Sequence, residues 1–156
     1  MWGLGYRVAP RPDYELKTLA ADWFWLIQLE DYELISVSPF GDLFLRDESD
    51  AYCLLDINLG CLEYATKEGI DPAELFPIAF DDSIARGYRE SGLLLKPGTC
   101  YGYKTPCVTG GSVESNNVYV ADLPEYVSFM GCFHFQIKDV VDGETVEIKG
   151  IRPKLN

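Results

Sequence analysis

The chain has 156 residues, of which 47% are hydrophobic and 24% are charged. This length suits one domain with a substantial core, and the composition is typical of globular proteins, which excludes disordered and fibrous classes. The net charge of −12 opposes binding to nucleic acid phosphates or anionic lipid surfaces and attracts basic proteins. We therefore expect a single domain, residues 1–156, that binds neither nucleic acid directly nor membranes.

Apolar stretches and cysteine spacing indicate the compartment. No apolar stretch near the N-terminus approaches the ~20 residues of a membrane span, and no basic region leads into an apolar one after Met1. The five cysteines are odd in number and lack paired spacing, which favours neither a disulfide framework nor a zinc ribbon. These features predict a protein of the reducing cytoplasm.

The first 31 residues are predicted to be a helical segment. Apolar residues recur over 16–27 with the spacing of one helix face, and Asp13 is placed to cap its start. Short β-prone runs follow, separated by turn residues, and they predict an antiparallel meander. The runs are 32–37, 42–46, 51–57 and 61–65.

The middle of the chain combines helix signals with a loop. Asp71 is followed by proline and then glutamate, as at many helix starts, and Pro77 is predicted to divide the segment into two short helices. The second helix should end near Gly92. The stretch 96–111 is rich in glycine and proline and is predicted to lead to a strand near 118–121.

The C-terminal part predicts one long helix and one strand. Asp122 is a capping residue for a helix over about 123–138, and the alternation at 145–148 after the turn at Gly143 predicts a terminal strand. Together these elements indicate an α+β fold. We expect a single domain with a central, mostly antiparallel sheet packed with about three to four helices.

His134 is the only histidine, which excludes a metal site with two imidazoles from one chain. Its neighbours on the predicted last helix are apolar, and such a histidine is more often bonded to a backbone carbonyl than catalytic. We expect no catalytic residue, no metal and no cofactor.

Cys100 is the cysteine most worth testing as a nucleophile, because it lies between Gly98 and Gly102. The run 98–102 lacks the lysine and the glycine spacing of phosphate-binding loops, so it is predicted to be a tight structural loop. An enzyme or small-ligand site remains an alternative if this loop and the last helix meet. That site would combine Cys100, Tyr101, Tyr103 and His134.

Two acidic clusters are candidate partner-binding sites: Asp47, Glu48 and Asp50, and the pair Asp81 and Asp82. Such clusters at hairpin tips and helix connectors are most often solvated charge, and they are also candidates for a divalent metal or a carboxylate pair. A third interpretation follows from the large acidic excess. One cluster could compete for the basic groove of a nuclease or another cationic enzyme and steer its association.

Several strings resemble one bacterial family: SPFGDLFLRD at 38–47, LDINLG at 55–60 and GTCYGYK at 98–104. The match continues in the same order at six later positions. They are the paired glycines at 110–111, the asparagine at 117, the glycine at 131, the histidine at 134 and the glutamine at 136. The matching positions are Phe40, Gly41, Asp42, Asp56, Gly60, Cys100, Tyr101, Gly102, Lys104, Pro106, Gly110, Gly111, Asn117, Gly131, His134 and Gln136. The family is the C-terminal domain of type VI secretion DNase-immunity proteins, formerly a domain of unknown function, and the likeness spans 32–148.

The resemblance implies an immunity protein that binds a basic toxin or nuclease domain in the bacterial cytoplasm and neutralises it without catalysis. The family usually has leucine where this chain has Thr109, and arginine where it has Phe135. A looser likeness to Smi1/Knr4-like immunity and signalling proteins leaves a regulatory scaffold as an alternative. A small-ligand protein is a further alternative.

Overall fold

The computed structural model describes residues 14–65, 82–141, 143–145 and 147, with residue 82 described in its backbone alone. Within these ranges the chain forms a four-stranded and a two-stranded antiparallel sheet together with three α-helices and short 3-10 helices. The strands are β1 Tyr32–Val37, β2 Leu43–Asp47, β3 Tyr52–Asp56, β4 Cys61–Tyr64, β5 Thr99–Tyr103 and β6 Val118–Asp122. The α-helices are α1 Leu16–Leu19, α2 Asp82–Glu90 and α3 Leu123–Ile137.

The predicted antiparallel meander is confirmed, with strand order β1-β2-β3-β4. Leu45 lies opposite Leu34 on β1 and opposite Cys53 on β3. Because opposite residues share a face of the sheet, these apolar side chains form one continuous buried layer. α3 packs on that layer through an apolar stripe that includes Tyr126 and Met130.

The predicted tight loop at 98–102 is wrong, because Thr99–Tyr103 is the buried strand β5. Cys100 lies opposite Ala121 in its pairing with β6. Gly102 belongs to the strand because a Cβ there would come within 2.8 Å of the Tyr126 ring. The glycine therefore marks a close approach of a side chain to the strand rather than a turn.

The predicted helix over 16–27 is also wrong in its length. The chain makes one α-helical turn, Leu16–Leu19, and then a 3-10 helix, Ala21–Trp23. The reason is the pair Trp23 and Trp25, whose indoles stack and both donate to backbone carbonyls of α3. Residues two apart point to opposite sides of a regular helix, so the two indoles reach α3 together only if the helix stops.

The two later helices agree with prediction where they are described. α2 ends before Gly92, which has a φ of +96° and donates its N–H to Arg89 O. The Asp122 side chain caps α3 by accepting a hydrogen bond from Glu125 N at 3.1 Å.

The predicted α+β single domain is confirmed. No helix among the described residues is long and apolar enough to span a membrane.

Some predicted features lie outside the described residues. They are the cap at Asp13, the helix start at Asp71 with the break at Pro77, and Asp81. Of the predicted terminal strand at 145–148, only Thr145 and Glu147 are described, and neither is in a strand.

We expect Gly131→Ala to destabilise the protein by about 1–3 kcal/mol, because over-packing of a tight contact costs about that much. A Cβ at Gly131 would come within 2.8 Å of Asp22 O, where α3 packs against the Ala21–Trp23 turn. Urea unfolding followed by circular dichroism measures the change. Gly87→Ala on α2 is the matched control, since nothing lies within 4 Å of its added Cβ and alanine favours helix by about 0.8–1 kcal/mol. Equal effects of the two substitutions would contradict the packing argument.

Candidate functional site

The turn between β3 and β4 is held rigidly by its own backbone and by α3. Asp56 Oδ1 accepts hydrogen bonds from Asn58 N at 3.1 Å and Leu59 N at 2.9 Å, and Gly60 N donates to Asp56 O. Gly60 has a φ of +77°, and a Cβ there would overlap the His134 ring. Leu59 therefore stands on a rigid turn, with 61% of its surface exposed.

Asn58 connects this turn to three other parts of the protein. Its Nδ2 donates to Phe40 O at 3.1 Å, and its Oδ1 accepts from the Tyr126 hydroxyl at 2.7 Å. Its backbone carbonyl accepts from His134 Nε2 at 3.2 Å. The same Tyr126 hydroxyl accepts from Tyr103 N, which brings β5 into the network.

Asp42 is the buried carboxyl group next to this network. Its Oδ1 accepts from Ile57 N at 3.1 Å, and its Oδ2 accepts from the Ser38 hydroxyl at 3.3 Å. Burial and then the nearby charge of Asp56 raise the pKa of Asp42 well above its ordinary value. The protonated acid is therefore favoured more than in an exposed aspartate.

The structure thus brings together residues from all three strings of the resemblance in one cluster, in which Asp56 and Gly60 are half-buried and the others are buried. Gly41 lies at its centre with a φ of +88°, and a Cβ there would come within 2.9 Å of Ile57 Cδ1. The cluster members among the predicted family positions are Phe40, Gly41, Asp42, Asp56, Gly60, Cys100, Tyr101, Gly102 and His134. Their contacts are with one another and with the core, so these positions support the fold.

His134 has the structural place that its sequence context predicted. Its ring is buried, bonds to the Asn58 carbonyl and lies 5.7 Å from the Trp23 ring. Burial lowers its pKa, which favours the neutral imidazole.

Cys100 lies in the interior between the sheets. It packs near Gly41 and Tyr126, and burial raises the pKa of its thiol well above the ordinary value. Because the thiolate is the reactive form of cysteine, this environment disfavours nucleophilic attack by Cys100. The alternative site of Cys100, Tyr101, Tyr103 and His134 has no accessible thiolate in this conformation.

A second rigid segment is the loop 104–117 between β5 and β6. The Asn117 side chain closes it by accepting from Thr105 N at 3.0 Å and donating to Thr105 O and Ser112 O. Gly111 is required because a Cβ there would overlap Thr105 O. This loop presents Val108 to solvent.

Three further positions of the resemblance, Lys104, Pro106 and Gly110, also build this loop. Lys104 Nζ donates to Asn116 O at 3.2 Å. Pro106 O accepts from Gly111 N at 3.1 Å, and Gly110 takes a φ of +98°. Family positions therefore hold both the β3–β4 turn and the 104–117 loop in place.

An open groove of about 760 Å³ lies between these two rigid segments and the end of α3. Its lining combines apolar side chains with a similar amount of polar surface, and His134 is one of the lining residues. Lining side chains include Trp25, Leu59, Val108, Ile137 and Val141. We call this feature the groove.

Two exposed aromatic side chains adjoin the groove. Phe24, with 67% of its surface exposed, lies 6.0 Å from Phe135 between ring centroids. Phe135 also contacts the Trp25 ring, and Lys138 Nζ lies 5.3 Å from the Phe135 centroid. We call Phe24 and Phe135 the aromatic patch. Exposed aromatics next to other exposed apolar side chains are typical of protein interaction surfaces.

The acidic cluster at 47–50 forms the tip of the β2–β3 hairpin. Asp47 Oδ1 stabilises the turn by accepting from Ser49 N and Ala51 N, while Glu48 and Asp50 are exposed. Asp82 is the first residue of α2.

The acidic tip and the groove are at opposite ends of the meander. The tip follows β2, whereas the groove turn at 58–60 follows β3, which runs the other way. Five strand residues span roughly 16 Å, so the two features form separate surfaces. Among the described residues, no cluster of three or more potential metal ligands occurs.

Gly60 and His134 are the groove residues that were sequence-based candidates, whereas the apolar lining residues Trp25, Leu59 and Val108 were not. Leu59 and Val108 lie in turn-rich segments, where an apolar side chain is a signal of surface function. Trp25 lay within the predicted helix over 16–27 but was not among the residues of its apolar face. The sequence offered no indication that these distant segments meet.

Comparisons with known proteins support the fold. No family model and no curated protein matches the chain. A solved structure, Atu4351 from Agrobacterium tumefaciens, is similar with a TM-score of 0.55 and 17% identity over 77% of this chain. The match covers 63% of that protein, so this chain spans less than two thirds of its length. At this identity the likeness shows the fold alone, an α+β domain.

We expect the stability of the wild-type protein to fall as pH rises through the raised pKa of Asp42. The folded state holds this proton above the unfolded carboxyl value of about 4, so unfolding becomes easier by up to ~1.4 kcal/mol per pH unit in that window. Asp42→Asn should lack this loss, because its amide keeps an oxygen that can accept from Ile57 N. Urea unfolding across pH measures both proteins.

Glu48→Gln is the control for Asp42→Asn, since Glu48 is an exposed carboxylate at the hairpin tip. It should keep the wild-type dependence on pH. An Asp42→Asn variant with an unchanged pH profile would show that Asp42 does not hold the proton.

Proposed function

We propose that this protein is a non-catalytic cytoplasmic binding protein that neutralises a basic toxin, as its resemblance to type VI secretion immunity proteins implies. The observation that carries the proposal is the groove with its aromatic patch, presented by rigid segments on a chain of net charge −12. Apolar and aromatic side chains supply most binding energy in protein interfaces, and complementary charge accelerates encounter.

The rigidity of both groove walls supports a binding role. The β3–β4 turn is held by Asp56 and Asn58, and the 104–117 loop is closed by Asn117. A surface that is already ordered loses little conformational entropy on association. The family positions would then serve the interface indirectly, by holding the loops that form it.

The departures from the family pattern support a partner specific to this protein. Thr109 lines the groove, and Phe135 belongs to the aromatic patch. Where related proteins share a scaffold, different partners are distinguished by side chains at the contact surface. Both unusual residues lie where such side chains are expected.

Affinity capture tests the proposed function. The tagged protein is incubated with lysate of its own source strain at low and moderate salt, and the bound proteins are identified by mass spectrometry. We expect one stoichiometric basic enzyme, with binding that weakens at higher salt and with its activity abolished in the complex. The absence of such an enzyme would instead favour a small-ligand or regulatory role.

The acidic tip is expected to accelerate association with that basic enzyme. Neutralising it with Asp47→Asn, Glu48→Gln and Asp50→Asn should lower the association rate by about 3–10-fold at low salt, while the dissociation rate stays nearly constant. Stopped-flow or surface plasmon resonance measures both rates. Asparagine keeps the hydrogen-bond acceptor that Asp47 supplies to the turn.

A triple variant with Glu15→Gln, Glu30→Gln and Glu90→Gln is the matched control, because it removes the same charge from exposed positions elsewhere. It should change the rate less than the tip variant. If both variants have the same effect, net charge rather than the tip steers the partner.

A further inference from the structure

The groove combines exposed apolar side chains, among them Leu59, Val108 and Val141, with two charged side chains. The charged side chains that line it among the described residues are Lys138 and Glu144. Lys138 is engaged, since its Nζ lies 2.7 Å from Asp139 Oδ2 and also over the Phe135 ring. The Glu144 side chain is exposed and has no ion pair with any other described residue.

The end of α3 adds to this negative character. α3 ends at Ile137, which lines the groove. The last carbonyl groups of a helix carry a partial negative charge equivalent to roughly half an electron and favour nearby cations. The groove therefore offers exposed apolar side chains, a helix C-terminus and a carboxylate that no cation among the described residues neutralises.

We infer that the groove binds a segment of a partner protein that inserts an apolar side chain among Leu59, Val108 and Val141 and places an arginine or lysine beside Glu144. This inference rests on the proposed function and adds to it the site and the chemistry of the bound segment. The groove then provides the anchor, whereas the acidic tip at the other end of the meander affects the rate of encounter.

Leu59 is the expected centre of the contact. It is largely exposed, yet its backbone is held by Asp56 and by the network around Asn58. Interface hot spots cluster near the centre of the contact in well-packed pockets from which water is excluded, and an ordered apolar side chain in a groove can form such a pocket with a partner. Trp25 and Phe135 extend the apolar surface on the side of α3.

Selection from a displayed library of random 12-residue peptides tests the inference without any assumption about a toxin. The full-length wild-type protein is the target. We expect enriched peptides to share a large apolar residue next to arginine or lysine. Enrichment of peptides without a basic residue, or no enrichment above an unrelated acidic protein, would overturn the inferred chemistry.

Groove variants locate the binding site of the selected peptides. Leu59→Ser and Val108→Ser should each weaken peptide binding by about tenfold or more, measured by fluorescence anisotropy. Ile84→Ser is the matched control, because Ile84 and Val108 are each 42% exposed and Ile84 lies on α2 outside the groove. Equal binding by all three variants would overturn the groove as the site.

Glu144→Gln tests the charged part of the inference. It should weaken peptide binding by about 3–10-fold and reduce the sensitivity of binding to salt. Glu90→Gln on α2 is the control for loss of one exposed carboxylate and should have little effect. If Glu144→Gln leaves the affinity unchanged, the basic residue of the peptide does not bind there and the inference fails.

The possible failures are distinguishable. A captured toxin that binds wild-type protein and Leu59→Ser equally would leave the proposed function in place and overturn the groove. Peptides that require Leu59, without any toxin partner, would support the groove and contradict the immunity function. If sedimentation shows a wild-type dimer that Leu59→Ser converts to a monomer, a second copy occupies the groove and the inference is overturned.

Discussion

Asn58 makes hydrogen bonds that join three elements of the fold at one turn. Its amide binds the carbonyl of Phe40 and the hydroxyl of Tyr126, and its own carbonyl binds His134. Asn58 therefore connects the meander directly to α3, and β5 joins the same network through the Tyr126 hydroxyl, which accepts a hydrogen bond from Tyr103 N. A buried polar group that loses its partners costs about 1–3 kcal/mol, so each element constrains the position of the others.

The hydrogen bonds of this network determine how the elements pack together more than they add to the net stability of the fold. An apolar residue at Asn58 could fill the same space, but it would leave the Phe40 carbonyl and the Tyr126 hydroxyl without these partners. Directional bonds fix how the β3–β4 turn meets α3, whereas apolar contacts tolerate sliding. The exposed Leu59 is next to Asn58, so the same bonds that order the core also determine where the groove wall lies. The hydrogen bonds of Asn58 thus order both the interior and the exposed turn that the interior supports.

Local signals predicted those elements whose ends are determined locally. The meander followed from turn residues such as those around Gly60, and the last helix followed from the capping Asp122. The first helix was shortened by distant hydrogen bonds of Trp23 and Trp25, which the periodicity of 16–27 does not contain. The strand β5 was not predicted because a glycine such as Gly102 is common in turns. In the structure, Gly102 leaves room for the Tyr126 ring, which packs closely against the strand.

The acidic tip and the groove also differ in how far the sequence could predict them. The acidic tip was predictable because charge clusters are visible in the sequence, whereas the groove is formed by residues such as Trp25, Leu59 and Val108 that are far apart in the chain. Their separation from the tip by roughly 16 Å bears on the size of the partner. An ordinary protein interface covers about 800 Å² on each side, or roughly 28 Å across, and can reach both surfaces. A small ligand in the groove would gain nothing by contact with the tip, so a partner affected by both surfaces must be a macromolecule.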